Sequence, residues 1–153
     1  MIKKKGQSIV EVVIATALIS IGVLAALALT NQSQKSSTYA KLLDTASAYN
    51  NQLADFFRHQ KNTLGWATIT EKILSDGSLG ITTYCFPSIP PDFSTLSPGP
   101  CIGTEYIDTT PFLRQATIDT SSLGSGSLLI SITTTWTDKV IRNSTLKLEL
   151  TKW

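Results

Sequence analysis

The sequence predicts an α+β chain: one long N-terminal helix, half membrane-spanning and half amphipathic, packed on a small C-terminal antiparallel β-sheet. Three observations predict it. Residues 9–29 form an apolar run of about the 20 residues that a helix needs to cross ~30 Å of hydrocarbon. Residues 30–60 contain neither Pro nor Gly and carry Tyr39, Leu42, Ala46, Tyr49, Leu53 and Phe56 at alternating steps of three and four, the stripe of an amphipathic helix. The C-terminal third switches to strict alternation of apolar and polar residues, the period of half-buried strands.

The N-terminal stretch organises the rest. Lys3, Lys4 and Lys5 precede Gly6, and Glu11 stands near the start of the apolar run. The other polar side chains there, Thr16 and Ser20, can bond back to the helix's own carbonyls. Glu11 is different. A charged side chain in a membrane helix costs roughly 2.5–3.5 kcal/mol on insertion scales and normally faces a partner. Gly22 sits mid-run at a penalty of about 1 kcal/mol relative to Ala.

This basic segment ending in Gly6, with Glu11 five residues later and a hydrophobic helix beyond, resembles the prepilin leader of type IV pilins and of the pseudopilins of type II secretion. The resemblance covers about 25 residues. It implies a leader of residues 1–6, cleavage by a prepilin peptidase between Gly6 and Gln7, N-methylation of Gln7, and Glu11 as the fifth-position glutamate used in assembly. Gln7 departs from the Phe or Met that major pilins usually carry. The expected member is a minor pilin or pseudopilin. The implied fold is pilin-like. It has a transmembrane and assembly helix over residues 7–30, an amphipathic stem over 31–63, and a β-rich head over 64–153 outside the inner membrane.

Three other readings of the N-terminus compete. A secretory signal peptide would place its cleavage site at Ala26-Leu27-Ala28, but Glu11 and the length of the run argue against it. A plain membrane anchor explains the lysines by the positive-inside rule yet leaves the Gly6-to-Glu11 spacing a coincidence. A buried soluble helix fits the basic flank and the all-round apolar surface poorly.

Removing the three leader lysines turns the formal charge of +2 into −1. The basic balance therefore reports topology and is no sign of nucleic-acid binding. Only 16% of residues are charged, while Ser, Thr and Asn abound, as suits an exported β-rich surface. Cys85 and Cys101 are the only cysteines, and export would place them where disulfides persist. A bridge would close a loop of roughly 15 residues, worth about 3 kcal/mol in the chain-entropy model. Two buried free thiols and a metal site are the alternatives. Zinc normally takes four protein ligands, and the chain offers two Cys and one His.

Leu64-Gly65 marks the expected end of the long helix. A short helix or turn over 66–74 and a turn cluster over 75–78 follow, then a strand over 81–86. Pro87, Pro90, Pro91, Pro98 and Pro100 form a loop bracketed by the cysteines, and residues 102–107 read as another short strand. Phe112, Ala116 and Ile118 share one face of a strand over 112–119. Leu128, Ile130, Ile132, Thr134 and Trp136 share a face of the next, and Leu146, Leu148 and Leu150 a face of the last. Short turns make these three an antiparallel meander with one buried face, which the amphipathic stem is expected to cover.

No catalytic constellation emerges, and no enzyme or cofactor is expected. His59 is the only histidine, and an Asp55–His59 pair at i, i+4 reads as a surface contact. No G-x-S-x-G stands in the chain, and Gly124-Ser125-Gly126 lacks the context of a phosphate loop. Asp108, Asp119 and Asp138 do not have EF-hand spacing. Trp66, Trp136 and Trp153 are expected to pack in the core or at sheet edges. The expected function is a structural subunit of a pilus-like or secretion-like filament, with other pilin or pseudopilin subunits as partners. The alternative is a membrane-anchored extracellular binding domain that never polymerises.

Overall fold

The computed structural model describes residues 9–77 and 80–153; Gly6 and Gln7 lie outside the described residues. The chain divides into two compact units, residues 1–41 and 42–153. Helix α1, Ile9–Leu64, is unbroken and contributes to both. It ends where the sequence places a breaker. Gly65 adopts a left-handed φ of 82° and donates its N–H to the Lys61 carbonyl at 3.0 Å, a stop that a residue without Cβ makes without strain.

Helix α2, Trp66–Gly77, begins at once. It runs past the expected 66–74 into residues assigned from the sequence to a turn. Its last turn has side-chain support: Lys72 pairs with Asp76 at 2.7 Å, and Ser75 Oγ donates to the Lys72 carbonyl at 2.8 Å. Such i, i+4 pairs add a few tenths of a kcal/mol each.

Four strands follow: β1 (Ile81–Cys85), β2 (Phe112–Asp119), β3 (Ser127–Asp138) and β4 (Val140–Thr151). They form one antiparallel sheet in the order β1-β2-β3-β4. The expected meander is therefore present, with β1 added beside β2. Residues 102–107, expected as a strand, are turns instead. Glu105 explains the difference: its carboxylate accepts the Ile102 N–H at 2.7 Å while its own N–H donates to the Ile102 carbonyl at 2.9 Å. That reciprocal pair closes a local turn in place of a strand ladder.

One sheet face is apolar, and register aligns it in rows: Ile118, Ile130 and Leu148 in one, Ala116, Ile132 and Leu146 in the next. All except the half-buried Leu146 are buried. The second half of α1 covers this face with Ala46, Leu53, Ala54, Phe56 and Phe57, as the stripe predicts. Phe57 meets Phe56, Phe86 and Phe93 edge-on at 5.7 Å each, a geometry worth about 0.5–1.5 kcal/mol per pair beyond burial. Trp136 is in the core and Trp66 half-buried, whereas Trp153, expected to pack, is 84% exposed.

Candidate functional site

The first candidate surface is the apolar half of α1. The helix holds an 18-residue window of mean hydropathy 2.7, long and apolar enough to cross a membrane by length and composition, and none of that window is buried within the chain. Its hydroxyls satisfy themselves along the helix. Thr16 Oγ1 donates to the Val13 carbonyl at 2.9 Å, and Ser20 Oγ to the Thr16 carbonyl at 2.8 Å. Glu11 has no hydrogen bond or ion pair among the described residues, and it stands among exposed Val10, Ile14 and Leu18. The surface is thus a cylinder of side-chain carbon bearing one carboxylate.

The second candidate surface is the loop between β1 and β2. Cys85 and Cys101 are disulfide-bonded, with Cα atoms 4.8 Å apart. The loop is also pinned from inside. Gln60 Nε2 donates to the Pro91 carbonyl at 3.1 Å, and its Oε1 accepts the Phe93 N–H at 3.3 Å. Asp92 caps the short 3₁₀ turn Phe93–Thr95 by accepting the Ser94 N–H at 2.8 Å. The open hollow beside the bridge has a volume of about 360 Å³, lined by Pro87, Pro90, Leu96, Pro98 and Glu105 among others. Cys85, Cys101 and Glu105 bring their ligand atoms within 4.8 Å of one another. The bridge occupies both sulfurs, which leaves a single carboxylate for any ion.

Among the buried polar side chains missed by sequence reasoning, which treated their elements as apolar stripes, three make long-range bonds that join elements. Asn50 donates to the Ser144 carbonyl at 3.0 Å and to Ser144 Oγ at 3.2 Å, and accepts from Thr134 Oγ1 at 2.7 Å. Gln60 is the second. Arg114 is the third, on the core face of β2 and 1% exposed. Its guanidinium donates to the carbonyls of Phe86 (3.3 Å) and Tyr49 (3.2 Å) and to Gln52 Oε1 (3.0 Å), and lies 5.7 Å from the Tyr49 ring centroid. Burial pushes its pKa down to about 10, opposed by Tyr49 and Asp108, so it stays charged at neutral pH. Strict alternation places residue 114 between Phe112 and Ala116 on the inward face, the one signal that would have found it.

Asp76, besides pairing with Lys72, accepts the Tyr84 hydroxyl at 2.9 Å. Burial first, and then Asp76, hold the Tyr84 phenol well above its ordinary range. Asp55 pairs with Arg58 at 2.7 Å, so the expected Asp55–His59 contact gives way to an i, i+3 ion pair. The Tyr84–Asp76 bond fastens β1 to α2, the two ion pairs lie within single helices, and none of these groups lines the hollow beside the bridge. Of the sequence-predicted site residues, Cys85 and Cys101 are brought together, and Glu11 belongs to the other unit. Comparison with family models, with curated proteins and with solved structures finds no match.

Proposed function

We propose that this chain is a structural subunit, a minor pilin or pseudopilin, of a type IV pilus-like or type II secretion-like filament. The chain is made with the leader of residues 1–6, held in the inner membrane with its head outside, and cut by a prepilin peptidase after Gly6. It then joins other subunits by packing of its N-terminal helix. The observation that carries the reading is Glu11, a carboxylate without an intrachain partner among the described residues, on an apolar helix surface that its own chain leaves wholly exposed.

Two energies argue for a cationic partner; the same chain's own Gln7 amine, four residues before Glu11, is the competing partner, and Glu11→Leu separates the two. Leaving the charge alone in hydrocarbon costs roughly 2.5–3.5 kcal/mol. Two unit charges 4 Å apart attract by about 4 kcal/mol at an effective dielectric near 20. A cation at contact distance therefore offsets the burial, and apolar packing alone does not. The resemblance to prepilins supplies the cation: the amine freed at Gln7 of a neighbouring subunit. That contact would set axial register as each chain enters the filament.

Glu11→Leu tests the reading. The variant is expected to insert normally and to be cut after Gly6, giving an intact mass that begins at Gln7, while its share in sheared surface filaments falls well below that of the wild type. Gly6→Leu is expected to leave the precursor uncut. A mature chain that keeps Lys3–Lys5, or Glu11→Leu at wild-type levels in filaments, defeats the proposal. A chain that is never found in sheared filaments supports the anchored, non-polymerising alternative.

A further inference from the structure

The two edges of the sheet are finished differently. The Lys152 N–H donates to the Gly126 carbonyl at 2.8 Å, and the β3–β4 register runs unbroken from Ser127 opposite Thr151 to Asp138 opposite Val140. Hydrogen-bonded and non-hydrogen-bonded pairs alternate along an antiparallel ladder. The even-numbered residues of β4 therefore turn their N–H and C=O groups toward β3, and Ile141, Asn143, Thr145, Lys147, Glu149 and Thr151 turn theirs outward. Among the described residues no backbone hydrogen bond meets that outer row.

The β1 edge is covered. The Thr120 N–H donates to the Gly80 carbonyl at 2.9 Å and the Phe86 N–H to the Arg114 carbonyl at 2.8 Å, so the same alternation sends the groups of Ile81, Thr83 and Cys85 outward. A strap of the proline-rich loop lies over them. Gly99 donates its N–H to the Thr83 carbonyl at 2.7 Å, and Pro98 bridges to Tyr84. Prolines at 98 and 100 give the strap little backbone donor capacity. The Cys85–Cys101 bridge adds the one covalent tie between this strap and β1.

The strand count decides which partner fits. In a four-stranded antiparallel sheet β1 and β4 run in opposite senses. A second copy displaced sideways without rotation offers its β4 antiparallel to β1 of the first, and α1 keeps one direction in both copies. Pairing β4 with β4 would leave β1 and its strap untouched, so the bridged chain would then associate as readily as the opened one. We infer that the Cys85–Cys101 disulfide is an edge guard: it holds the Pro98–Gly99 strap over β1, and opening it lets β1 take the open β4 edge of a second copy of this chain. Opening is a two-electron, two-proton step. An added dithiol converts the bridge to two thiols and itself closes to a disulfide. The strap then keeps only its short bridge to β1 at Pro98–Gly99, whereas an incoming strand engages the N–H and C=O of Ile81, Thr83 and Cys85 together. Unpaired edges of this kind are the usual template for association between chains.

The test uses the full chain in mild detergent, with mass followed by light scattering and fold by near-UV circular dichroism. The bridged chain is expected to be monomeric. The dithiol-reduced chain and the C85S/C101S variant are expected to keep the near-UV signal and at least double in mass as concentration rises. Adding Lys147→Pro removes one outward N–H without touching the β3 ladder, and is expected to restore the monomer; Lys147→Ala keeps that N–H and is expected not to. A folded, opened chain that stays monomeric overturns the inference. So does association that survives Lys147→Pro, or loss of the near-UV signal on opening, since the bridge then holds the fold and guards no edge. None of these outcomes depends on filament membership.

Discussion

Asn50→Ala removes an amide that ties the C-terminal part of α1 to both β3 and β4. Asn50 is 2% exposed and Thr134 fully buried, so water cannot replace the bonds that are lost. Two effects oppose each other. Ala is the better helix former by about 0.5 kcal/mol. Against that, each lost hydrogen bond is worth about 1 kcal/mol net, and the buried Thr134 hydroxyl, stripped of its 2.7 Å acceptor, costs about 1–3 kcal/mol. The loss dominates, and the expected net destabilisation is about 2–4 kcal/mol. Thr134→Val alone leaves the Asn50 carbonyl oxygen without that donor and is expected to cost about 1–2 kcal/mol. In the double variant neither group is orphaned, so its cost should fall short of the sum by about 1–2 kcal/mol. Urea denaturation of the full chain in mild detergent, followed by near-UV circular dichroism at constant m-value, measures all three. A single-variant loss below about 0.5 kcal/mol, or additivity within about 0.3–0.5 kcal/mol, would falsify the pin.

Opening the Cys85–Cys101 bridge as C85S/C101S is expected to lower stability by about 2–4 kcal/mol; thiol labelling of the denatured, unreduced wild type should find no reactive cysteine, and two labelled thiols per chain would refute the bridge. The Tyr84 phenol, held above its ordinary range, keeps a proton in the fold that the unfolded chain releases above about pH 10, so the stability present below that pH is lost as pH rises through it. Tyr84→Phe abolishes this titration, and its deficit relative to wild type should shrink between about pH 9 and pH 11; a deficit independent of pH shows that the phenol does not govern alkaline unfolding. Arg114 is common to both chains and cancels. A chain begun near Gln34 is expected to be a soluble monomer, because the cover of the sheet comes from residues 46–57. One begun near Thr63 exposes the apolar sheet face and should aggregate, and equal solubility of the two would show that the helix does not form part of the core.

By itself the sequence determined what depends on period and on punctuation. Steps of three and four from Leu42 to Phe56 require one helix face to be covered, strict alternation in β2, β3 and β4 requires one sheet face to be covered, and Gly65 supplies the stop between helices. The order of the meander follows from short turns, since distant pairing would need longer connections. The apolar run with Glu11 was equally legible, because membrane length is a property of one continuous segment.

Only the tertiary structure decided what depends on partners far apart in the chain. That Cys85 pairs with Cys101, and that this pair fastens Pro98 and Gly99 over one edge strand, required the loop to be folded. Residues 102–107 carry strand-like composition, yet the Ile102 N–H is taken by the local Glu105 carboxylate and not by a ladder. Asn50, Gln60 and Arg114 look like exceptions to an apolar pattern until their hydrogen-bond partners are in place. Their meaning lies in Thr134, Phe93 and Tyr49, residues 84, 33 and 65 positions away. Periodicity reports which face is buried; which buried polar groups are satisfied is settled by long-range geometry alone.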